Sequence, residues 1–526
     1  MKREDLIAPE KYNIVMEFEK YAQDPNRLAV IWENEQGDRR EITYKKLIEN
    51  ANRIGNIFLE KGLKKGDKLL VMLPRLIDTY EVYIAALKTG IIIIPSSEMF
   101  RTKDLQYRIT HGEVNGVVCL SDYSDEFTGI EQYDELVKFT VGASVNDWHH
   151  LDSLKESASD KLDFLATSRD DLAFLPYTSG TTSNPKAVMH THAWGFAHMS
   201  SAPEHWLGIK DGDTVWATAA PGWQKWVWSP FLSVLGSGAT GFVYSGKFDP
   251  KKYLSLIEEN RINVFCCTPT EYRLMAKLNN LQDYDLSAVH SAVSAGEPLN
   301  REVIDQFEKH FNITVRDGYG QTENTLLLGI LKGMTVKPGS MGKPTPGNNV
   351  QLIDEDGNPV AVGKVGDIAI PLDTPALFKG YYKDEERTRK SHRGTYYITG
   401  DQASLDEDGY FWFEGRSDDI IVSSGYTIGP FEVEDALVKH PAVKECAVIA
   451  SPDEIRGNVV KAYIVLQDHV VDAGDELVKE LQNHVKQSTA PYKYPRSIEF
   501  IDELPKTSSG KIRRVELRQR EKMILK

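Results

Sequence analysis

A chain of 526 residues, 41% hydrophobic and 26% charged, is too long for one core and is expected to form two or more soluble domains. Its formal charge of −15 argues against nucleic acid and anionic membranes as partners, while leaving room for a local positive site that takes a small anion. Four cysteines without a CxxC pair (Cys119, Cys266, Cys267, Cys446), no apolar leader in the first residues, and no apolar run long enough to cross a bilayer lead us to expect a reduced, cytoplasmic protein with no membrane span.

From the N-terminus, Leu47, Ala51, Ile54 and Phe58 recur at helical spacing and predict a helix over 44–61, closed by Gly62. Gly66-Asp67 marks a turn, 68–73 a strand, 78–89 a second helix ending at Gly90, and 90–95 a buried strand. This alternation predicts an α/β fold with parallel sheets flanked by helices. The run RINVFCC, ending at Cys267, reads as a buried strand. After about Lys337 the segments become short and rich in Gly and Pro. Turns at Asp354–Gly357 and Asp406–Gly409 punctuate alternating runs, which predicts antiparallel hairpins and a small β-barrel. Beyond Arg416 the pattern is α+β, and the last 110 or so residues are expected to form a small separate domain.

One loop carries the sharpest chemistry. Tyr177 is followed by Thr178, Ser179, Gly180, Thr181, Thr182, Ser183, Asn184, Pro185 and Lys186, directly after the apolar run 172–175. Hydroxyls and backbone N–H groups at this density cradle an anion; Gly180 permits close backbone approach and Lys186 adds charge. The loop is not of the GxxxxGK[ST] type, which disfavours a P-loop kinase. His190 and His192 lack a third ligand nearby and read as packing beneath the site rather than as a metal pair.

The loop resembles the YTSGTTGxPK phosphate loop of the adenylate-forming (ANL) superfamily, with Ser183 where the family usually has Gly. Further motifs follow in the family's order: Ser294–Pro298, Asp317–Glu323, Tyr397–Asp401, Gly415–Asp419 and Pro505–Lys511. The resemblance implies a large N-terminal domain over 1–416, made of parallel-sheet α/β subdomains plus the small barrel, and a small mobile α+β domain over 417–526 that pivots at Asp418. It implies that Tyr319 stacks on adenine, whose edge is read by Gly296, Glu297, Pro298, Asp317 and Gly318. Gly320 and Gln321 complete that nucleotide segment; Thr322 contacts phosphate and Glu323 holds Mg²⁺, a cation that demands hard oxygen ligands. Asp401 would grip the ribose hydroxyls, Arg416 would add fork-shaped donors, and Lys511 would be the catalytic lysine.

Within the superfamily the chain is most similar to the medium-chain and acetyl-CoA synthetases. That similarity implies an AMP-forming acyl-CoA synthetase using ATP, Mg²⁺ and coenzyme A, as a monomer or homodimer. Ser424, Gly425 and Tyr426 would line the pantetheine tunnel, and Arg456, Lys486, Tyr494, Pro495 and Arg496 would contact CoA. Thr427 stands where the group usually has Arg. The stretch Ala219–Trp223 lacks the Asp that peptide-synthetase relatives use for an amine, which disfavours amino acids. Trp223, Lys225, Trp228 and Gly320 would line the acyl pocket. Gly320 replaces the Trp that closes an acetate site, which leads us to expect short-to-medium acids of about four to eight carbons, linear or branched, and benzoate-like acids. The competing readings are an adenylating enzyme with a carrier-protein or amine acceptor and a non-catalytic nucleotide-binding regulator; the presence of both Lys511 and Glu323 disfavours the regulator.

Overall fold

The computed structural model describes residues 1–178, 185–296, 299, 301–416, 419, 421–423, 426–453, 457–468, 470, 473–489, 491–506 and 512–524. They belong to two compact units: 1–350 with 371–395, and 351–370 with 396–526.

The first unit is built on two sheets. In one, strands run in the order His190–Thr191, Leu172–Phe174, Ile92–Pro95, Lys68–Met72, Gly116–Leu120, Val137–Val141, His149–His150. All neighbours are parallel except the first pair. In the other, the parallel run Val315–Gly320, Ser291–Ala295, Val264–Cys267, Thr214–Ala217, Thr240–Tyr244, Leu28–Glu33 is bordered by antiparallel strands, Leu326–Gly329 and Ser340–Pro344 on one side and Arg39–Thr43 on the other. Buried parallel strands are covered by helices on their faces. The helix Tyr44–Glu60 starts where the Thr43 side chain accepts from Lys46 N and stops at Lys61, followed by Gly62 at φ 97°. Its Leu47, Ala51, Ile54 and Phe58 are buried as the spacing predicted, and full burial of each larger one contributes roughly 1.5–3 kcal/mol. The helix Ile77–Lys88 is buried on all sides, which is why its apolar residues show weaker periodicity. Cys266 and Cys267 are core residues, and burial raises both thiols, so they are inert.

The second unit begins with the expected hairpins. Gln351–Ile353 pairs antiparallel with Val365–Pro371, and Tyr396–Leu405 with Phe411–Arg416; the intervening turns place Gly357 and Gly409 at φ 86° and 81°. A second layer follows, with Val443–Asp453 antiparallel to Gly457–Leu466, and Ser497–Phe500 parallel to the latter. Helices Pro430–Val438, Asp475–Ser488 and Arg514–Ile524 accompany it, and Leu437, Val448, Ile464, Leu481 and Val485 share one core. The α/β class with a smaller α+β unit is therefore as expected. Among the described residues, no helix is long and apolar enough to cross a membrane.

Candidate active site

The anion loop is held at its base by a two-strand pair. Thr178 opposes Lys186 and Tyr177 opposes Ala187; residues 179–184, Ser179 to Asn184, lie outside the described set. From that base Lys186 reaches Glu323, Nζ to Oε1 at 3.0 Å, and also donates to the Tyr381 hydroxyl at 3.0 Å. The same hydroxyl donates to Glu323 Oε1 at 2.8 Å, closing a triangle around a carboxylate that is 6% exposed. Burial alone would raise the Glu323 carboxyl. The Lys186 charge and the hydrogen bonds from Lys186 and Tyr381 outweigh it and hold the group below its ordinary value, ionised. Tyr381 was not singled out by sequence: a tyrosine in an ordinary Gly-Tyr-Tyr run carries no motif.

The segment Gln321 to Thr325 rests on a ladder of rings. His190 Nε2 lies 2.6 Å from the Thr322 carbonyl oxygen, Trp194 Nε1 donates to the Asn324 carbonyl at 2.9 Å, and His198 Nδ1 lies 2.5 Å from Thr325 Oγ1. Trp194 and His198 lie one turn apart on the helix His192–Ala202, while His190 comes from the strand just before it; His190 and Trp194 stack with centroids 4.1 Å apart, and Trp194 and His198 with centroids 6.0 Å apart. Desolvation pushes His190, His192 and His198 down to about 4, which leaves neutral imidazoles. The histidines are thus packing elements, and no group of three or more His, Cys, Asp or Glu able to hold a metal occurs among the described residues. Glu323 alone suits a Mg²⁺ that arrives with nucleotide phosphates, since that cation keeps waters and needs only one or two protein carboxylates.

Asp317, Gly318, Tyr319 and Gly320 form the end of a buried strand. The Asp317 carboxylate accepts from the backbone N–H of Leu299 at 3.2 Å and of Gly318 at 2.8 Å; burial nevertheless pushes it up to about 7. Gly318 packs so closely on the Trp206 indole that a Cβ would sit 2.7 Å from it. Tyr319 is half-buried. Gly296 takes φ 111°, open to glycine, while Glu297 and Pro298 lie outside the described residues.

Gly320 lies at a register shift against Leu326–Gly329. A Cβ there would meet the Thr325 carbonyl oxygen at 2.1 Å and Trp228 Cη2 at 3.1 Å. Backbone approach therefore demands glycine here, in addition to any room it leaves for a substrate. Trp228 is 8% exposed and its ring lies 6.0 Å from that of His198. Trp223 is half-buried and precedes the short helix Gln224–Trp226, and Lys225 Nζ donates to the Ala295 carbonyl at 2.7 Å, next to Gly296. Trp226, by contrast, is pure core, enclosed by Tyr80, Tyr83 and Phe231.

In the second unit Asp401 and Arg416 are directly opposed on neighbouring strands; Asp401 is buried, and its N–H donates to Thr399 Oγ1 at 3.1 Å. Lys486 Nζ and the Arg496 guanidinium both face the Tyr494 ring, 4.0 and 4.7 Å from its centroid, and Pro495 between them is buried. Tyr426 opposes Ser423 in a short strand pair. Asp418, Ser424, Gly425, Arg456 and Lys511 lie outside the described residues.

The family model described as AMP-binding enzyme matches residues 18–382, and that described as AMP-binding enzyme C-terminal domain matches 432–511. The chain belongs to the AMP-binding enzyme family. It is 61% identical to an uncharacterized acyl-CoA ligase, YtcI, of Bacillus subtilis, over 100% of this chain and 99% of that one. It is 40% identical to the mitochondrial acyl-coenzyme A synthetase ACSM3 of Rattus norvegicus, over 96% and 88%. The anthranilate CoA ligase AuaEII, solved with anthranoyl-AMP, superposes with a TM-score of 0.91 at 27% identity, covering 100% of both chains. Within the family this protein is an AMP-forming acyl-CoA ligase, with ATP and CoA as co-substrates.

Proposed function

We propose that the acid is short to medium in length, about four to eight carbons, linear, branched or benzoate-like. The observation that carries this reading is the packing of Trp228 beside Gly320, with Trp223 and Lys225 on the same stretch of chain: these bulky walls suit a few buried methylenes, each contributing about 0.8 kcal/mol, rather than a long chain. In the first half-reaction a carboxylate oxygen attacks the α-phosphorus of ATP, the bond to pyrophosphate breaks and an acyl-adenylate remains. In the second, the CoA thiolate attacks the acyl carbon and AMP leaves.

The chain's own residues divide this work. Thr178 to Lys186 cradle the β- and γ-phosphates, and Thr322 and Lys511 donate to the charge that builds up in the first transition state. Gly296 to Pro298 and Asp317 to Gln321 hold the base, and Asp401 with Arg416 orients the ribose. A bound Mg²⁺ would neutralise phosphate charge, with Glu323 as its protein ligand. Ser424 to Tyr426 guide pantetheine, while Arg456, Lys486 and Tyr494 to Arg496 take the CoA phosphates and adenosine. The segment 417–526 turns about Asp418 between the steps, because Lys511 and the 424–426 strand serve different half-reactions. Assay of the purified protein with ATP, CoA and acids from acetate to dodecanoate, plus benzoate, tests the reading. The expected result is AMP and thioester formation with kcat/KM highest between four and eight carbons. A maximum at acetate or above ten carbons sinks the size assignment.

A further inference from the structure

The helix Thr102–Gly112 touches both shoulders of the anion loop. The Tyr107 hydroxyl donates to the Pro185 carbonyl at 2.9 Å, on the outgoing side. One turn on, His111 Nδ1 lies 2.9 Å from the Tyr177 hydroxyl, on the incoming side. Residues 107 and 111 share a helix face, and their rings stack with centroids 5.3 Å apart and planes 14° from parallel. The Arg108 guanidinium lies 5.4 Å from the centre of the Tyr177 ring, and a Cβ on Gly112 would sit 3.1 Å from the Tyr177 hydroxyl, so this tyrosine packs against the helix at Arg108, His111 and Gly112. The same helix end reaches the segment beside Tyr381: Tyr382 donates to Glu113 at 2.7 Å, and Tyr382 N donates to the Ala187 carbonyl at 2.9 Å.

We infer that Tyr107 and His111 are positioning residues for ATP: together they set the separation of Tyr177 and Pro185, the two ends of the loop, and so the span across which the β- and γ-phosphates are taken. The inference rests on the phosphate-loop assignment above. Ends held at a fixed separation by one helix leave less freedom to be lost when the nucleotide binds, which lowers the ordering cost of binding. The β- and γ-phosphates are gone once the acyl-adenylate forms, so the clamp acts in the first half-reaction only.

The test separates the half-reactions. Tyr107→Phe keeps the ring and removes one hydrogen bond; KM for ATP is expected to rise about 2- to 10-fold, with KM for the acid and the rate of thioester formation from supplied acyl-adenylate unchanged. His111→Ala should act alike and His111→Asn, whose Oδ1 can accept near the place of Nδ1, should restore most of the loss. Binding of AMP, which lacks those phosphates, should be unaffected in all three. An unchanged KM for ATP in both Tyr107→Phe and His111→Ala overturns the clamp. So does an equal loss in both half-reactions at unaltered Tm. Thr178→Val reports on the loop assignment by itself: no effect on ATP there removes the assignment, whereas an effect there with none at Tyr107 or His111 removes only the clamp.

Discussion

Trp228 offers the most direct control over which acid is activated. Its indole occupies the space beside Gly320, its Cη2 only 3.1 Å from where a Cβ would be. Trp228→Leu retains an apolar side chain while vacating most of the ring. If the vacated volume opens to the acyl group, two further methylenes can be buried. At about 0.8 kcal/mol each they favour the longer acid by about 1.6 kcal/mol, or about 15-fold in kcat/KM. The cost to stability is below the roughly 3–5 kcal/mol of a full Trp→Ala truncation, so the variant is expected to stay folded, with Tm checked by calorimetry. The assay is kcat/KM for linear acids from four to twelve carbons, with active-site concentration titrated by single-turnover adenylate formation. The optimum should move two or three carbons longer. An unmoved optimum in a folded variant, or a shift toward acetate, refutes Trp228 as a pocket wall. Gly320→Trp is the less informative change, because its Cβ meets the Thr325 carbonyl at 2.1 Å and forces the strand pair itself to move.

Four other outcomes are expected. Lys511→Ala should abolish acyl-adenylate formation while largely sparing thioester formation from supplied adenylate, read by pyrophosphate exchange against CoA-thioester release. Asp418→Pro, which fixes φ, should spare one half-reaction more than the other; equal loss with the fold intact counts against a pivot there. Tyr381→Phe removes a hydrogen bond that helps hold Glu323 ionised, so the acid limb of the kcat/KM–pH profile should move to higher pH. Finally, His190, His192 and His198 titrate near 4 when folded but near 6.5 when unfolded, so the unfolded chain binds more protons as pH falls between these values, and each costs up to roughly 3 kcal/mol by the lower end. Asp317, raised to about 7, and Glu81 and Glu98, also raised by burial, work the other way, but His111, His149 and His392 are lowered by desolvation as well and add to the loss. Tm should therefore fall from about pH 6.5 to about pH 5, and a flat profile contradicts the buried-neutral assignment.

Much of the site was legible because it is written in contiguous runs. Asp317 to Glu323 and Thr178 to Lys186 are contiguous runs that each carry several of the groups proposed to bind nucleotide, and helices such as Tyr44–Glu60 show their buried face as a period. What escaped was assembled from distant segments. The Lys186–Glu323–Tyr381 triangle joins three parts of the chain, and the Tyr107–Pro185 and His111–Tyr177 contacts join a helix to a loop more than sixty positions away. No local periodicity encodes such meetings. Gly320 shows a subtler gap: its lack of a side chain is visible in sequence, but the Thr325 carbonyl that requires it is not. Likewise Trp223, Trp226 and Trp228 look alike in a Trp-rich run, and only packing shows that Trp226 and Trp228 join one buried core, Trp226 among Tyr80, Tyr83 and Phe231 and Trp228 beside Gly320, while Trp223 is half-buried.

The strand order of the second large sheet bears on how the chain is made. Leu28–Glu33 finds its parallel partner in Thr240–Tyr244, about 210 residues later. At roughly 5–20 residues per second, a ribosome needs on the order of 10–40 s to supply that partner. Meanwhile the strands of the other sheet, the last of them His190–Thr191, have all been synthesised. During that interval the apolar segment Leu-Ala-Val-Ile-Trp-Glu has one local cover, the antiparallel Arg39–Thr43, and its other edge is open to a neighbouring nascent chain. Arg39, Arg40 and Glu41 are exposed on the outer strand of that hairpin and blunt its far edge, whereas the inner edge of Leu28–Glu33 stays uncovered until Thr240–Tyr244 emerges, so a holding chaperone that masks it should raise the yield of native protein.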